Sequence, residues 1–173
     1  ARDHQPSTWG EPSEPSPPTS EDNEVRQFGD PLIRGVLEKL NELDGIINAA
    51  RRNGSIAKPI IQQRLTQASM ELAAMRWSTL RMLQGMLGGQ LSPEALTLKL
   101  YWASWHRRLG ELAMDVLGNE GDLVGDGYDL SNLQRLFLFS RADTIYAGSN
   151  QIQRNIIAER ALGLPKDPWR VTS

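Results

Sequence analysis

The sequence predicts an all-α fold, an up-and-down four-helix bundle. Apolar residues recur at intervals of three and four along several long segments, and no window shows the alternation of a half-buried strand. Gly, Pro and capping residues separate those segments at short intervals, as in antiparallel neighbouring helices. There is no internal repeat.

The elements follow in order. Residues 1–24 hold Pro6, Pro12, Pro15, Pro17 and Pro18 among Ser and acidic residues, with Trp9 as their only large apolar side chain. Such a stretch cannot bury enough surface to offset its ordering entropy. Residues 1–29 are therefore expected to be a linker or disordered segment, with Trp9 as a docking point. The bundle is expected over residues 30–165 and a tail over 166–173. Asp30 is placed to cap a first helix with Pro31 at its first position, where a missing amide is harmless. Ile33, Val36, Leu37, Leu40, Leu43 and Ile47 form its apolar stripe, and Arg51, Arg52, Asn53 and Gly54 supply a C-terminus.

A second helix begins near Pro59 and carries Ile61, Leu65, Ala68, Leu72, Met75, Leu80 and Leu83 to the break at Gly88 and Gly89. At about 28 residues it spans roughly 42 Å. Ser92 and Pro93 then open a third helix with Leu98, Trp102, Trp105, Leu109, Leu112 and Val116 as its stripe, ending at Gly118. The run GNEGDLVGDGY from Gly118 to Tyr128 is a surface loop. A fourth helix is expected from about Leu130 to Tyr146 and a fifth from Ser149 to Leu162, parted by Gly148 and stopped by Gly163 and Pro165.

At 173 residues and 39% hydrophobic content the chain has the size and core of one domain, with no apolar run long enough for a membrane. Lys and Arg number 19 against 21 Asp and Glu, a net charge of −2, which gives no field for gathering nucleic acid or an anionic bilayer. Cys is absent, which excludes disulfides, thiolate metal sites and cysteine nucleophiles, and a cytoplasmic location is the default expectation. The first residues show no secretory signal and no initiator Met, as expected of a chain that begins within a longer parent.

Several residues invite a functional reading and yield to a plainer one. His106 has no second imidazole at helical spacing, so it reads as an ordinary surface or semi-buried histidine, with no metal site implied. Trp77, Trp102 and Trp105 read as packing residues rather than a stacking platform. The Gly-rich loop lacks the Lys-Ser/Thr ending of a phosphate cradle and is acidic. Glu38, Lys39, Glu42 and Asp44 read as a solvated helix face. The segment TIYAGSNQIQRN stands apart, because a helix ends at Tyr146, Gly148 turns the chain, and Ser149 caps a new helix whose free amides face outward. Alone, such a junction is more often a simple cap than a ligand site.

The longer run IYAGSNQIQRNIIAERALGLP closely resembles the closing motif of acyl-CoA dehydrogenases. The likeness extends upstream through SRAD at Ser140–Asp143, the Leu-Gly-x-x-Gly run in AMDVLGNEG, and the helix TLKLYWASW, covering residues 31–165. It implies the C-terminal helical domain of that family, without its N-terminal helical and middle β-domains. By resemblance the activity is α,β-dehydrogenation of an acyl-CoA thioester, with FAD as cofactor and an electron-transfer flavoprotein as electron acceptor. Ser149 and Gln151 match residues that contact FAD in the family. The usual position of the catalytic carboxylate, between Tyr and Gly in the closing motif, is held by Ala147, so no catalytic residue is assigned. Some members carry the Glu near the start of the first helix of this domain, which falls near Gln27, flanked by Glu24 and Asp30. At two positions that face the FAD diphosphate in the family stand Asn53 and Asp115, an arrangement opposed to phosphate unless Arg52 compensates.

The resemblance therefore implies a subunit with an incomplete site, in a homo- or hetero-tetramer such as the bacterial heteromeric enzymes acting on steroid side-chain thioesters. The alternatives are an active homomeric enzyme whose base is Glu24 or lies elsewhere, and a helical scaffold without chemistry. The exposed sides of the second and third helices, with Met70, Met75, Trp77 and Trp102, are the expected subunit interface.

Overall fold

The computed structural model describes residues 20–88, 93 and 95–166, with the backbone alone for residues 20–28 and 30. Its long elements are α1 (Ser20–Arg52), α2 (Pro59–Leu87), α3 (Ala95–Leu117), α4 (Asn132–Ala142) and α5 (Asn150–Ile156), the last continued by a π-helical turn over Ile157–Ala161. The all-α expectation holds, and no strand occurs among the described residues. Trp9 and Ser92 lie outside the described residues.

The first helix departs from its expected start. It begins at Ser20 rather than Asp30, so Pro31 lies inside it. An interior proline removes one i→i−4 hydrogen bond and costs about 3 kcal/mol or more. The core contributed by this helix sits in its C-terminal half, at Leu43, Ile46, Ala49 and Ala50, whereas Ile33 and Leu37 are exposed. Among the described side chains, the apolar stripe is thus only partly used.

Helix α3 is central and packs against α1, α2, α4 and α5. Trp105, Leu109, Leu112, Ala113 and Val116 meet Ile61, Leu65, Ala68, Leu72 and Met75 of α2, with Leu136 of α4 joining the cluster. Trp105 donates its indole N–H to the Ala68 carbonyl at 3.0 Å, so the largest core side chain leaves no polar group unpaired. Trp77 is 66% exposed and contradicts the packing reading for that residue. Along α2 the buried face runs Met75, Thr79, Met82 rather than through Leu80, which is exposed.

Helices α3 and α4 approach closely at Gly110, where an added Cβ would stand 3.0 Å from the Phe137 Cα and collide with the Ser140 hydroxyl. The loop between them is more ordered than its composition suggests, with 3₁₀ turns at Gly118–Asp122 and Asp126–Tyr128. Gln134 organises it. Its side chain completes a capping box with Ser131 and donates to the carbonyls of Gly121 (2.8 Å) and Leu123 (2.7 Å). No helix of the described residues is long and apolar enough to cross a membrane.

Candidate active site

Helix α4 ends at Ala142, and the chain turns through Thr144–Ser149 before α5 begins. The expected fourth helix therefore stops four residues short of Tyr146. Tyr146 N–H still bonds the Ala142 carbonyl at 3.0 Å, and Asn150 N–H closes the turn on the Thr144 carbonyl at 3.1 Å. Ala147 has φ 52 and Gly148 φ 94, two successive left-handed residues. Gln153 braces them by donating to the Ala147 carbonyl at 3.2 Å. Ser149 is the N-cap of α5, accepting from Ile152 N–H at 3.4 Å.

Beside this turn lies a cleft of about 390 Å³, walled by Leu32, Val36, Leu98, Trp102, Phe139 and Tyr146, with Lys39, Thr79 and Asp143 at its polar end. Pro31 and Gly35 are also on its rim.

Beneath the cleft is a charged cluster that corrects two expectations. His106 is 1% exposed, neither surface nor semi-buried. Its Nδ1 bonds the Asp143 carboxylate, which is 0% exposed, and its Nε2 stands 2.9 Å from Glu42 Oε2. Lys39 Nζ lies 3.1 Å from the same Glu42 oxygen and 3.3 Å from His106 Nε2. Lys39 and Glu42 thus face inward and Asp44 remains on the solvated side, while Glu38, although exposed, is on the rim of the cleft. Lys99 donates to the Asp143 main-chain carbonyl at 2.5 Å and lies 5.0 Å from the ring centroids of both Trp102 and Tyr146.

The titrating groups feel this environment. Burial pushes the Glu42 carboxyl up, but the hydrogen bond and charge of His106, with Lys39, outweigh it and leave the pKa lowered. Burial lowers Lys99, with Asp143 opposing. Burial, then the hydrogen-bonding and charge of Asp143, push Tyr146 up to about 12. The phenol therefore stays neutral at ordinary pH. Asp143 does not present a free carboxylate to a ligand, because it is wholly buried and held by His106.

The expected site residues divide into two groups. Ser149 and Gln151 come together on the first turn of α5, Gln151 exposed and Ser149 half-buried. Asn53 lines a shallow concavity with Lys58 and Glu120 just past the end of α1, and Asp115 is not part of that lining. Asn53 is turned to structural use, donating to the Val116 carbonyl at 2.7 Å and accepting from Ser55 N–H at 3.0 Å. Asp115 is paired with Arg64, and the described ion pairs of Asp115 do not include Arg52. The side chains of Glu24, Gln27 and Asp30 lie outside the described part of the structure. Sequence reasoning missed the Glu42–His106–Asp143 cluster. The available signal was that Lys99 and His106 share one face of α3 with Gly110, the face that meets α4.

Comparison with known proteins places these features. The family model for the acyl-CoA dehydrogenase C-terminal domain matches residues 25–162. Acyl-CoA dehydrogenase IpdE1 of Mycobacterium tuberculosis is 51% identical over 126 residues, 73% of this chain and 32% of the relative. Its Mycolicibacterium smegmatis counterpart is 48% identical over 126 residues, 73% of this chain and 31% of the relative. The chain thus spans about a third of the length of these curated relatives. Among solved structures, the Tcur3481-Tcur3483 steroid ACAD aligns over 85% of this chain and 38% of its own, with a TM-score of 0.62 and 21% identity. A G363A variant of it aligns over the same shares, with a TM-score of 0.66 and 18% identity. At those identities the likeness is one of fold.

Proposed function

Because the chain belongs to the acyl-CoA dehydrogenase C-terminal domain family, we propose that it is the helical part of a flavoprotein of that class which lacks the proton-abstracting carboxylate at its α4–α5 turn. The carrying observation is Ala147, which stands left-handed between Tyr146 and Gly148 beside the cleft and has no group that can take a proton. The bound FAD would accept hydride from the β-carbon of an acyl-CoA thioester. This chain's share is to shape the cleft with the apolar faces of Leu98, Trp102 and Phe139, and to offer polar contacts at the start of α5.

The fit to FAD differs at the two ends of the bundle. Ser149 and Gln151 suit a neutral part of the cofactor, since the Ser149 hydroxyl hydrogen and the exposed Gln151 amide are both available to donate. At the far end Asn53 is committed to main-chain groups, Asp115 is paired with Arg64 outside the concavity, and a diphosphate there would meet Lys58 as the one cation of the lining, with Glu120 opposing it. These residues do not suit a diphosphate. A partner subunit supplying the missing groups, in a homo- or hetero-tetramer passing electrons to an electron-transfer flavoprotein, accounts for both the alanine and the altered far end.

The test is acyl-CoA-dependent bleaching of bound flavin, measured with the full-length protein alone and with its co-purifying partner. Bleaching is expected only with the partner. Bleaching by the protein alone at an enzymatic rate overturns the proposal.

A further inference from the structure

We propose that His106 is a positioning residue, which through Asp143 fixes the Thr144–Ser149 turn and the Tyr146 side chain at the mouth of the cleft. Asp143 is the last residue before the turn and the C-cap of α4. A wholly buried carboxylate needs a partner, and His106 Nδ1–H supplies it from α3. The second carboxylate oxygen, Oδ1, has no well-aligned partner among the described residues, and the other group beside the carboxylate is the Tyr146 phenol of the turn itself, so His106 is its one side-chain anchor in the core.

The imidazole is itself fixed. It stacks on Trp105 with ring centroids 6.3 Å apart and planes 14° from parallel, and Trp105 is pinned to α2 by its own hydrogen bond. The ring therefore has a set plane, which aims Nδ1 at the turn and Nε2 at α1. The charged and titratable groups around it are Lys39 and Glu42 from α1, Lys99 from α3, and Asp143 and Tyr146 from the end of α4. Besides the Asp143 side chain, the turn is tied to α3 by Lys99, which bonds the Asp143 main-chain carbonyl and lies over the Tyr146 ring, and by the 3.4 Å contact from Asn150 Nδ2 to Ser104 Oγ. One rigid donor in the core thus sets the position of a segment that carries both left-handed residues and the cap of α5. The inference concerns the same turn that the proposed function places beside the ligand.

The two ring nitrogens make the idea testable. In His106→Asn the amide nitrogen replaces Nδ1 and can keep the Asp143 bond, whereas in His106→Gln it replaces Nε2 and keeps only the Glu42 side. Gln is nearer to His in size, so a residue that merely fills space would tolerate Gln better. Amide hydrogen exchange of the full chain as purified is the measurement. In His106→Gln the Tyr146 and Asn150 amides are expected to exchange roughly tenfold faster relative to the Leu72 and Leu109 amides, while His106→Asn stays within about threefold of wild type. Equal behaviour of the two variants, or turn amides that move only in step with the core, overturns the proposal. Asp143→Ala removes the acceptor from the other side. It should loosen the turn as His106→Gln does, and unchanged turn protection in it also overturns the proposal. Flavin content measured on the same samples separates the two readings. A loosened turn with full flavin would count against the role given to Ser149 and Gln151 and leave the role of His106 standing.

Discussion

At Gly148 the backbone has φ 94, and an added Cβ would stand 2.7 Å from the Gln153 amide nitrogen that braces the turn. A left-handed L-residue is disfavoured by about 1–2 kcal/mol. Gly148→Ala should therefore lower stability by roughly that amount, read as a lower urea midpoint at unchanged slope. Glu42 gives a second expectation at this scale. Its folded pKa lies below the ordinary 4.5, so it contributes stability that is present above 4.5 and lost as pH falls through the lowered value. Stability measured from neutral to acid pH should fall less steeply in Glu42→Gln than in the parent. An unchanged slope would show that the contacts of Glu42 with His106 and Lys39 add nothing to folding.

Between elements, the contact most sensitive to size is that of α3 with α4. Gly110→Ala pushes against the Phe137 Cα and the Ser140 hydroxyl, and overpacking of this kind costs about 1–3 kcal/mol. Gly45 on α1 offers the control, since nothing lies within 4 Å of its added Cβ. Gly45→Ala should stabilise the protein by about 0.4–1 kcal/mol. Thermal melts of the two variants should move in opposite directions, and a shared direction would contradict this account of the α3–α4 contact. The elements themselves were legible where period and punctuation agreed, as in α2, whose Pro59 start was expected and whose last residue, Leu87, directly precedes the Gly88–Gly89 break. At Pro31 they disagreed. The capping pattern Asp-Pro is local, whereas an interior proline is tolerated when the rest of a long helix keeps its tertiary contacts, and no local rule registers that.

For the molecule as a whole, the apolar surface left open on α2 matters most. Met70 is 62% exposed and Trp77 66%, one side of a stripe that continues through Leu80 and Leu87. Met75 and Trp102, expected on the same surface, are not part of it, because Met75 is 4% exposed and Trp102 packs against the core cluster. A subunit of the same family is the expected cover for this stripe. The double variant Met70→Glu, Trp77→Glu should lower the native mass while leaving the helical circular-dichroism signal intact. A native mass equal to that of the parent would remove this face from the interface.

The sequence by itself determined the helices, their approximate limits and the family, because apolar period, caps and the closing motif are written in consecutive residues. By resemblance alone it also set the expectation that Ala147 occupies the position where a carboxylate is usual. Only the tertiary structure decided the setting of the site. Glu42, His106 and Asp143 are separated by 64 and 37 positions, and burial turns three ordinary polar residues into one bonded cluster. The same holds for Asp115, whose partner is Arg64 across the α2–α3 groove, 51 positions away. Which charges meet depends on how helices pack, and packing is a property of faces brought together from distant stretches of chain.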